Sequence, residues 1–408
     1  MKTLRACCIR LHRWFGLASA AFLVLVGLTG SVLAYYEELD AWVNPRFLAQ
    51  VRPGEPRLDL ATLAERAQDL APEVQVMEAT WRYGGRQAEI RTRPWPDSDP
   101  SFAPGFDSIL LDPWTGAQLG RRTWGDIRQG WVNLIPFLYR LHYELALGHP
   151  GMVLLGLVAL GWTADCFVGL ILTLPAIGWQ SRCQRRKSTR GWWIRWLTAW
   201  RIKHPASGTR RLFDLHRAFS LWCWMALLVF AWSSVLLNLP SVYEPVMLTL
   251  TGYTPPAVSI IQASGKRGDA ERGLSWRQAL EQGRHLMSYQ ARSLGFTVQR
   301  EIMLRFIPRD EAWLYRTHGS RDVLHRRGAT DLYFDAHTGR LRALQLPTGE
   351  GAGQAVTSWL YALHVADVWG WPLRVVVLIL GVVLAMLSMT GVLIWRRKRM
   401  AENRSAGE

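Results

Sequence analysis

Four apolar runs dominate this chain: Trp14 to Tyr36, Gly151 to Leu174, Leu215 to Leu239 and Trp371 to Trp395. Each is long enough to cross a bilayer, which takes roughly 20 residues of helix. Apart from Arg374, near the start of the fourth, none carries Lys or Arg in its middle. Backbone in hydrocarbon must satisfy its own hydrogen bonds, so runs of this kind cross as helices. The first run contains Val32-Leu33-Ala34, which resembles a small-residue cleavage site. Its apolar core is longer than the roughly 7–15 residues of a signal segment, so it is expected to stay as a span.

The formal charge of +16 would suit nucleic acid in a soluble protein, but its placement says otherwise. Lys2, Arg5, Arg10 and Arg13 precede the first run with no acid among them. The loop from Gln180 to Arg211 is rich in Arg and Lys and also lacks acids, and the tail opens Arg396-Arg397-Lys398-Arg399. The long segments Glu37–His149 and Pro240–Gly370 mix both signs. Basic residues in short loops mark the cytoplasmic side. Both termini and the middle loop are therefore expected inside, both long segments outside, and nucleic acid is excluded as a partner. Trp193, Trp196, Leu197 and Trp200 share one helical face of the loop, with Arg195 and Arg201 turned away, as in a helix lying among headgroups. None of the five cysteines falls in the outer segments, so no disulfide framework is indicated.

The outer segments have matching plans. Leu58–Leu70 and Leu274–Leu286 read as amphipathic helices. Strand-like alternation follows, as in Arg82–Arg93 and Ile302–Arg316, with a Pro- and Asp-rich loop interrupting the first copy. Both copies then reach an Asp-x-x-Thr-Gly turn, at Asp112 and Asp335, which is turn chemistry and needs no catalytic role. The chain is thus a tandem repeat of span, outer α+β segment, span. Because odd spans run outward and even spans return, the repeats are parallel.

Matched histidines fall out of this repeat. Leu11-His12-Arg13 corresponds to Leu215-His216-Arg217, at the inner ends of spans one and three. Leu138-Tyr139-Arg140-Leu141-His142 precedes Pro150, and Leu360-Tyr361-Ala362-Leu363-His364 precedes Pro372 at the same spacing, at the outer ends of spans two and four. Opposite ends of a span lie roughly 30 Å apart, so only same-side pairs can share a ligand: His12 with His216, and His142 with His364. Two imidazoles from facing helices make a six-coordinate haem iron, and without C-x-x-C-H the groups would be non-covalent, b-type haems. The plainer reading is four polar tips beside headgroups. Zinc suits the pairs less, since no Cys or carboxylate stands at ligand spacing beside them.

Arg13 and Arg217 are candidates for haem propionates, although topology alone accounts for basic residues there. His149 ranks lower, since Trp371 takes its place in copy two. Asp165 lies deep in span two where Leu387 stands in span four. An acid at that depth is a functional candidate, as a proton or haem-edge partner, or else it hydrogen-bonds a nearby Thr, Ser or Trp. His204, His285, His318, His325 and His337 are read as surface residues. Gly349, Gly351 and Gly353 lack the strand–turn–helix context of a dinucleotide fingerprint, and no P-loop occurs, so any electron donor is a separate molecule.

The chain resembles the PepSY-associated transmembrane-helix family, which includes iron-regulated membrane proteins and integral-membrane siderophore reductases. The resemblance is carried by Leu11-His12-Arg13-Trp14-Phe15-Gly16, Gly27-Leu28-Thr29-Gly30 and Leu141-His142. Copy two adds Leu215-His216-Arg217, Leu363-His364 and Met389-Thr390-Gly391-Val392-Leu393-Ile394-Trp395-Arg396-Arg397. Trp232-Ser233-Ser234 departs from Leu-Thr-Gly in span three, and Val168-Gly169 from Thr-Gly in span two; both are read as packing positions.

The resemblance implies an α-helical membrane protein with four transmembrane helices in tandem repeat and two periplasmic PepSY-like α+β domains. Its expected layout is an inner terminus 1–13, span 14–36, domain 37–150, span 151–175, basic loop 176–214, span 215–239, domain 240–370, span 371–395 and tail 396–408. It also implies a bacterial inner membrane and haem-dependent reduction of a ferric siderophore on the periplasmic side. The partners would be that siderophore, a cytoplasmic or membrane donor, and periplasmic iron-binding or uptake proteins. Two other readings stay open: a non-redox membrane-anchored module that binds a periplasmic partner, and an iron or haem transporter with Asp165 in its path.

Overall fold

The computed structural model describes residues 2–99, 101–175, 191–204, 207–253 and 273–405. The first copy runs α1 (Lys2–Leu33), α2 (Tyr36–Val43), α3 (Leu60–Leu70), β1 (Val74–Arg82), β2 (Gln87–Pro94), β3 (Ser108–Leu111), β4 (Gln118–Arg122), α4 (Leu134–Glu144) and α5 (His149–Thr173). After α6 (Trp192–Leu197), copy two runs α7 (Gly208–Trp222), α8 (Trp224–Asn238), α9 (Pro240–Thr251) and α10 (Trp276–Leu294). It continues with β5 (Val298–Ile307), β6 (Ala312–Gly319), β7 (Thr330–Asp335), β8 (Leu341–Gln345), α11 (Ala352–His364) and α12 (Trp371–Ser405). Two compact units result: a helical unit of Met1–Ala34, Arg140–Tyr243 and Trp371–Glu408, and a sheet unit of Tyr35–Tyr139 and Glu244–Gly370.

Among the described residues of the helical unit, three helices are long and apolar enough to cross a membrane: Thr3–Leu33, His149–Thr173 and Trp371–Arg404. The third apolar run, expected as one helix over 215–239, is instead α7 and α8, bent by 69° at Cys223. The burial pattern shows why the halves part. Asp214, Ala218 and Leu221 bury one face of α7, but that stripe would continue at Met225, which is exposed, and burial resumes at Leu227, Ala231 and Val235. The two halves therefore bury faces that are out of phase. α8 alone rises roughly 22 Å, shorter than a full crossing.

α1 packs on α12 and α8 on α5, so each copy's outgoing helix lies against the other copy's return helix. The α1–α12 crossing is tight: a Cβ on Gly27 would lie 2.7 Å from the Gly381 carbonyl oxygen. Ser31 donates to the Leu378 carbonyl at 2.9 Å across the same contact. Small residues that let backbones approach are the usual currency of helix packing in lipid, where burial of apolar surface supplies no drive. Leu23, Trp162, Cys166, Leu227, Val383, Leu384 and Leu387 form the core.

The two outer segments, expected as separate domains, form one eight-stranded antiparallel sheet in the order β4-β3-β2-β1-β5-β6-β7-β8. Each copy contributes a four-strand meander. The copies join where β1 meets β5, with Glu78 opposite Arg305 and Thr80 opposite Met303. Pairing the first strands removes two open edges, each of which would otherwise template aggregation. The alternation over Arg82–Arg93 and Ile302–Arg316 turns out to span hairpins, which reverse at Tyr83-Gly84-Gly85 and at Pro308-Arg309-Asp310. α3 and α10 cover one face, burying Leu60, Leu63, Leu280 and Met287 against Ile90, Ile109, Phe306, Trp313 and Phe334. Asp59 caps α3 by accepting from Thr62 N at 2.7 Å, and Ser275 with Gln278 forms a capping box on α10.

The Asp-x-x-Thr-Gly turns are built as expected. Asp112 Oδ1 accepts from Trp114 N and Thr115 N, and Asp335 Oδ1 accepts from His337 N and Thr338 N. Of the expected cytoplasmic loop, Arg182, Arg185, Arg186, Lys187 and Arg190 lie outside the described residues. Its aromatic part is helical over Trp192–Leu197, with a 3-10 turn to Trp200, and Trp193 and Leu197 are exposed.

Candidate functional site: a pair of imidazoles in the helical unit

His12 of α1 and His216 of α7 come together from different copies, with ring centroids 6.1 Å apart and planes inclined at 67°. Each ring is oriented through Nδ1. His12 Nδ1 lies 2.9 and 3.0 Å from the two carboxylate oxygens of Asp165. His216 Nδ1 lies 3.1 Å from the Leu387 carbonyl and 3.1 Å from Thr390 Oγ1. A carboxylate and a carbonyl only accept, so each Nδ1 carries its proton and donates. In a neutral imidazole that leaves the lone pair on Nε2.

Asp165 and Leu387 are equivalent positions in the repeat, as are Val168 and Thr390. In copy two the partners are the backbone oxygen at Leu387 and the hydroxyl three residues on. In copy one that hydroxyl is replaced by the methyls of Val168, and the carboxylate of Asp165 serves instead. Asp165 hydrogen-bonds His12, a partner that is not among the Thr, Ser and Trp side chains expected from the sequence.

His142 repeats the second pattern. Its Nδ1 lies 3.0 Å from Thr29 Oγ1, and the ring also hydrogen-bonds the Val26 carbonyl. The Thr29 hydroxyl donates to the Leu25 carbonyl at 2.7 Å, so its oxygen accepts from His142. A glycine follows each of these positions. A Cβ on Gly30 would lie 3.0 Å from the His142 ring, one on Gly391 3.5 Å from His216, and one on Gly169 3.8 Å from His12. The Thr-Gly pairs, read from sequence as packing positions, are the histidines' seats. Their recurrence alongside the histidines is the sequence signal that could have revealed this role.

The arginines differ between copies. Arg217 donates to Asp214 Oδ1 at 3.0 Å and to the Thr198 carbonyl at 3.0 Å, so it is engaged within α7 and with the loop turn. Asp214 is fully buried and also accepts from Arg210 Nε at 3.1 Å. Copy one has Arg10 in place of Asp214, and Arg13 is exposed. His149 opens α5 and is exposed, apart from the pair. His364 ends α11 in the sheet unit. His318, expected at the surface, is half-buried and bonded to the Leu324 carbonyl at 2.8 Å. Among the described residues no group of three or more His, Cys, Asp and Glu side chains is placed to hold a metal ion by itself.

A bundle of apolar helices that sets two oriented imidazoles against glycines, together with a repeat-built sheet, defines a membrane protein of duplicated architecture. The chain belongs to the PepSY-associated TM region family, which matches residues 9–398, nearly its whole length. No curated protein matches it.

Proposed function

We propose that this chain is a haem-b-containing inner-membrane reductase that passes electrons across the membrane to a ferric siderophore in the periplasm and so releases Fe(II). The observation that carries this is the His12–His216 pair. The 6.1 Å between ring centroids is about the separation that a metal ion bonded to one nitrogen of each ring would need. Both rings have Nδ1 engaged, which leaves Nε2 as the donor. Two imidazoles without further protein ligands suit a macrocycle that brings four nitrogens of its own. A haem held there would supply one-electron exchange.

The protein's own part is to hold the two donors. Asp165 and the Leu387 carbonyl fix each ring's tautomer and direction, and Gly169 and Gly391 keep the ring faces clear of side chains. The second pair, His142 with His364, is carried by the sequence repeat, and Thr29 orients His142 as Thr390 orients His216. Electrons from a cytoplasmic or membrane donor leave on the periplasmic side to Fe(III) held by hard oxygen ligands. Those ligands hold Fe(II) far more weakly, which frees the metal.

The test is substitution of each of the four histidines by alanine, with haem counted per chain. Same-side partners must each lose the same single haem, and ferric siderophore reduction by the membrane-reconstituted protein must stop in all four. Four variants that keep full haem content refute the assignment.

A further inference from the structure

The repeated Leu-Tyr-x-Leu-His motif places a tyrosine three residues before each histidine, Tyr139 and Tyr361. In the sheet unit they meet an unusual arginine. Buried and half-buried cations there are matched by acids: Arg82 Nε with Glu89 at 2.7 Å, Arg122 with Asp40 at 3.2 Å, Arg316 with Asp331 at 2.6 Å, and Arg326 with Asp367 at 3.1 Å. Arg327 is the exception. Among the described residues no carboxylate lies within ion-pair distance of its guanidinium, and its Nε is buried without an acceptor.

Its backbone is nonetheless fixed. Asp367, just past α11, accepts from Arg327 N at 3.2 Å and from Arg326 N at 3.2 Å, and the Asp367 carbonyl accepts from His325 N at 2.8 Å. The Arg327 side chain hydrogen-bonds the Tyr139 hydroxyl and lies within electrostatic reach of Tyr361. Tyr139 is in turn wedged edge-on against Tyr36 and Trp124, with ring centroids at 5.8 and 5.5 Å. Glu37, the acid in reach, is bonded to Arg326 at 3.1 Å. Tyr361 stands one helical turn before His364 on α11.

A half-buried guanidinium whose side-chain partner is a neutral hydroxyl, with Glu37 already bonded to Arg326 and the like-charged Arg82 within electrostatic reach, carries a cost that a counter-charge would offset. We propose that Arg327, flanked by Tyr139 and Tyr361, is the seat of a carboxylate-bearing ligand. The planar guanidinium fork matches a carboxylate in shape, and the flanking hydroxyls add polar contacts. Two sources share this chemistry. One is a propionate of a haem ligated by His364, which rests on the reductase reading. The other is a carboxylate of the ferric chelate, which does not need it.

The full chain in detergent is compared as wild type, Arg327→Gln and Arg327→Lys. A propionate partner shows as lower haem content or a shifted midpoint potential of one centre in Arg327→Gln, with citrate binding unchanged. A chelate partner shows as calorimetric citrate binding that weakens at least about tenfold on losing a charge-assisted bidentate contact. In that case haem content stays unchanged, and KM rises for ferric citrate but not for ferrioxamine B, which has no carboxylate. Either pattern supports the seat. Identical haem content, potentials and citrate binding in wild type and Arg327→Gln overturn it. If the wild type carries no haem, the reductase reading fails separately, and the seat stands or falls on citrate binding alone. Should Arg327→Gln not fold, by tryptophan-fluorescence unfolding, Arg327→Lys keeps the charge, loses the fork and carries the same measurements.

Discussion

Asp165 offers the sharpest test of how the inner imidazoles are held, because its counterpart in the other copy is a backbone oxygen that mutation cannot remove. Asp165→Leu deletes the carboxylate that accepts from His12 Nδ1 at 2.9 Å. His12 is half-buried, so its N–H left without an acceptor costs stability at the lower end of the about 1–3 kcal/mol of a fully buried group. Independently, losing the partner behind a metal-binding imidazole typically weakens binding by about 10–100-fold, or roughly 1.4–2.8 kcal/mol. Haem titrated into the apo-protein should therefore bind the inner site of Asp165→Leu about 10–100-fold more weakly. Asp165→Asn keeps an oxygen acceptor but not its charge. Since charge-assisted bonds are about twice as strong as neutral ones, its loss should be smaller. Thr390→Val is the matched control, because the Leu387 carbonyl still accepts from His216 at 3.1 Å. Its inner-site affinity should stay close to wild type. If Asp165→Leu binds haem as tightly as Thr390→Val, with the same low-spin EPR signature, the hydrogen bond does not orient a ligand.

Three further outcomes follow from the packing and charge. Gly381→Leu must push α1 away from α12, whose backbones meet at Gly27 and Gly381, and overpacking of this kind costs about 1–3 kcal/mol; an unchanged melting temperature in detergent would contradict the close crossing. Ser275→Ala removes the capping box of α10 and should cost about 1 kcal/mol in chemical unfolding of the sheet unit, with no loss if the cap is not formed. Burial would raise the carboxyl of Glu89, but Arg82, Arg91 and Arg122 outweigh it and hold it down at about 2, against 4.5 ordinarily. The ionised form is therefore favoured by folding, so its stabilisation is complete above about pH 4.5 and is lost as pH falls towards about 2. Glu89→Gln should flatten that part of the stability–pH profile, and an identical acid limb in both proteins would refute the assignment.

The parts of this fold legible in the sequence are those where one residue type at one spacing has a single physical outcome. Runs such as Trp371 to Trp395 have no other way to satisfy their backbone in lipid, and Asp112 and Asp335 make the turns that their side chains encode. The sheet was less legible. Nothing in Val74–Arg82 or Val298–Ile307 announces that these strands pair with each other, because edge pairing depends on where two copies meet in space. The bend at Cys223 was hidden too, since hydropathy averages over a break that only the phase of burial reveals. At the site, duplication exposed the four histidines, and depth singled out Asp165. The hydroxyl and carbonyl partners at Thr390, Leu387 and Thr29 escaped notice because a Thr-Gly pair in a span has an adequate packing explanation.

Whether the four histidines hold haem is tested most directly by the visible spectrum of the purified protein. After haem-replete expression and purification, the protein should show a Soret band that shifts on reduction with dithionite. Pyridine haemochrome quantification should then give about two b-type haems per chain, one for each pair of imidazoles. A purified, folded protein with no reducible Soret band would contradict the account.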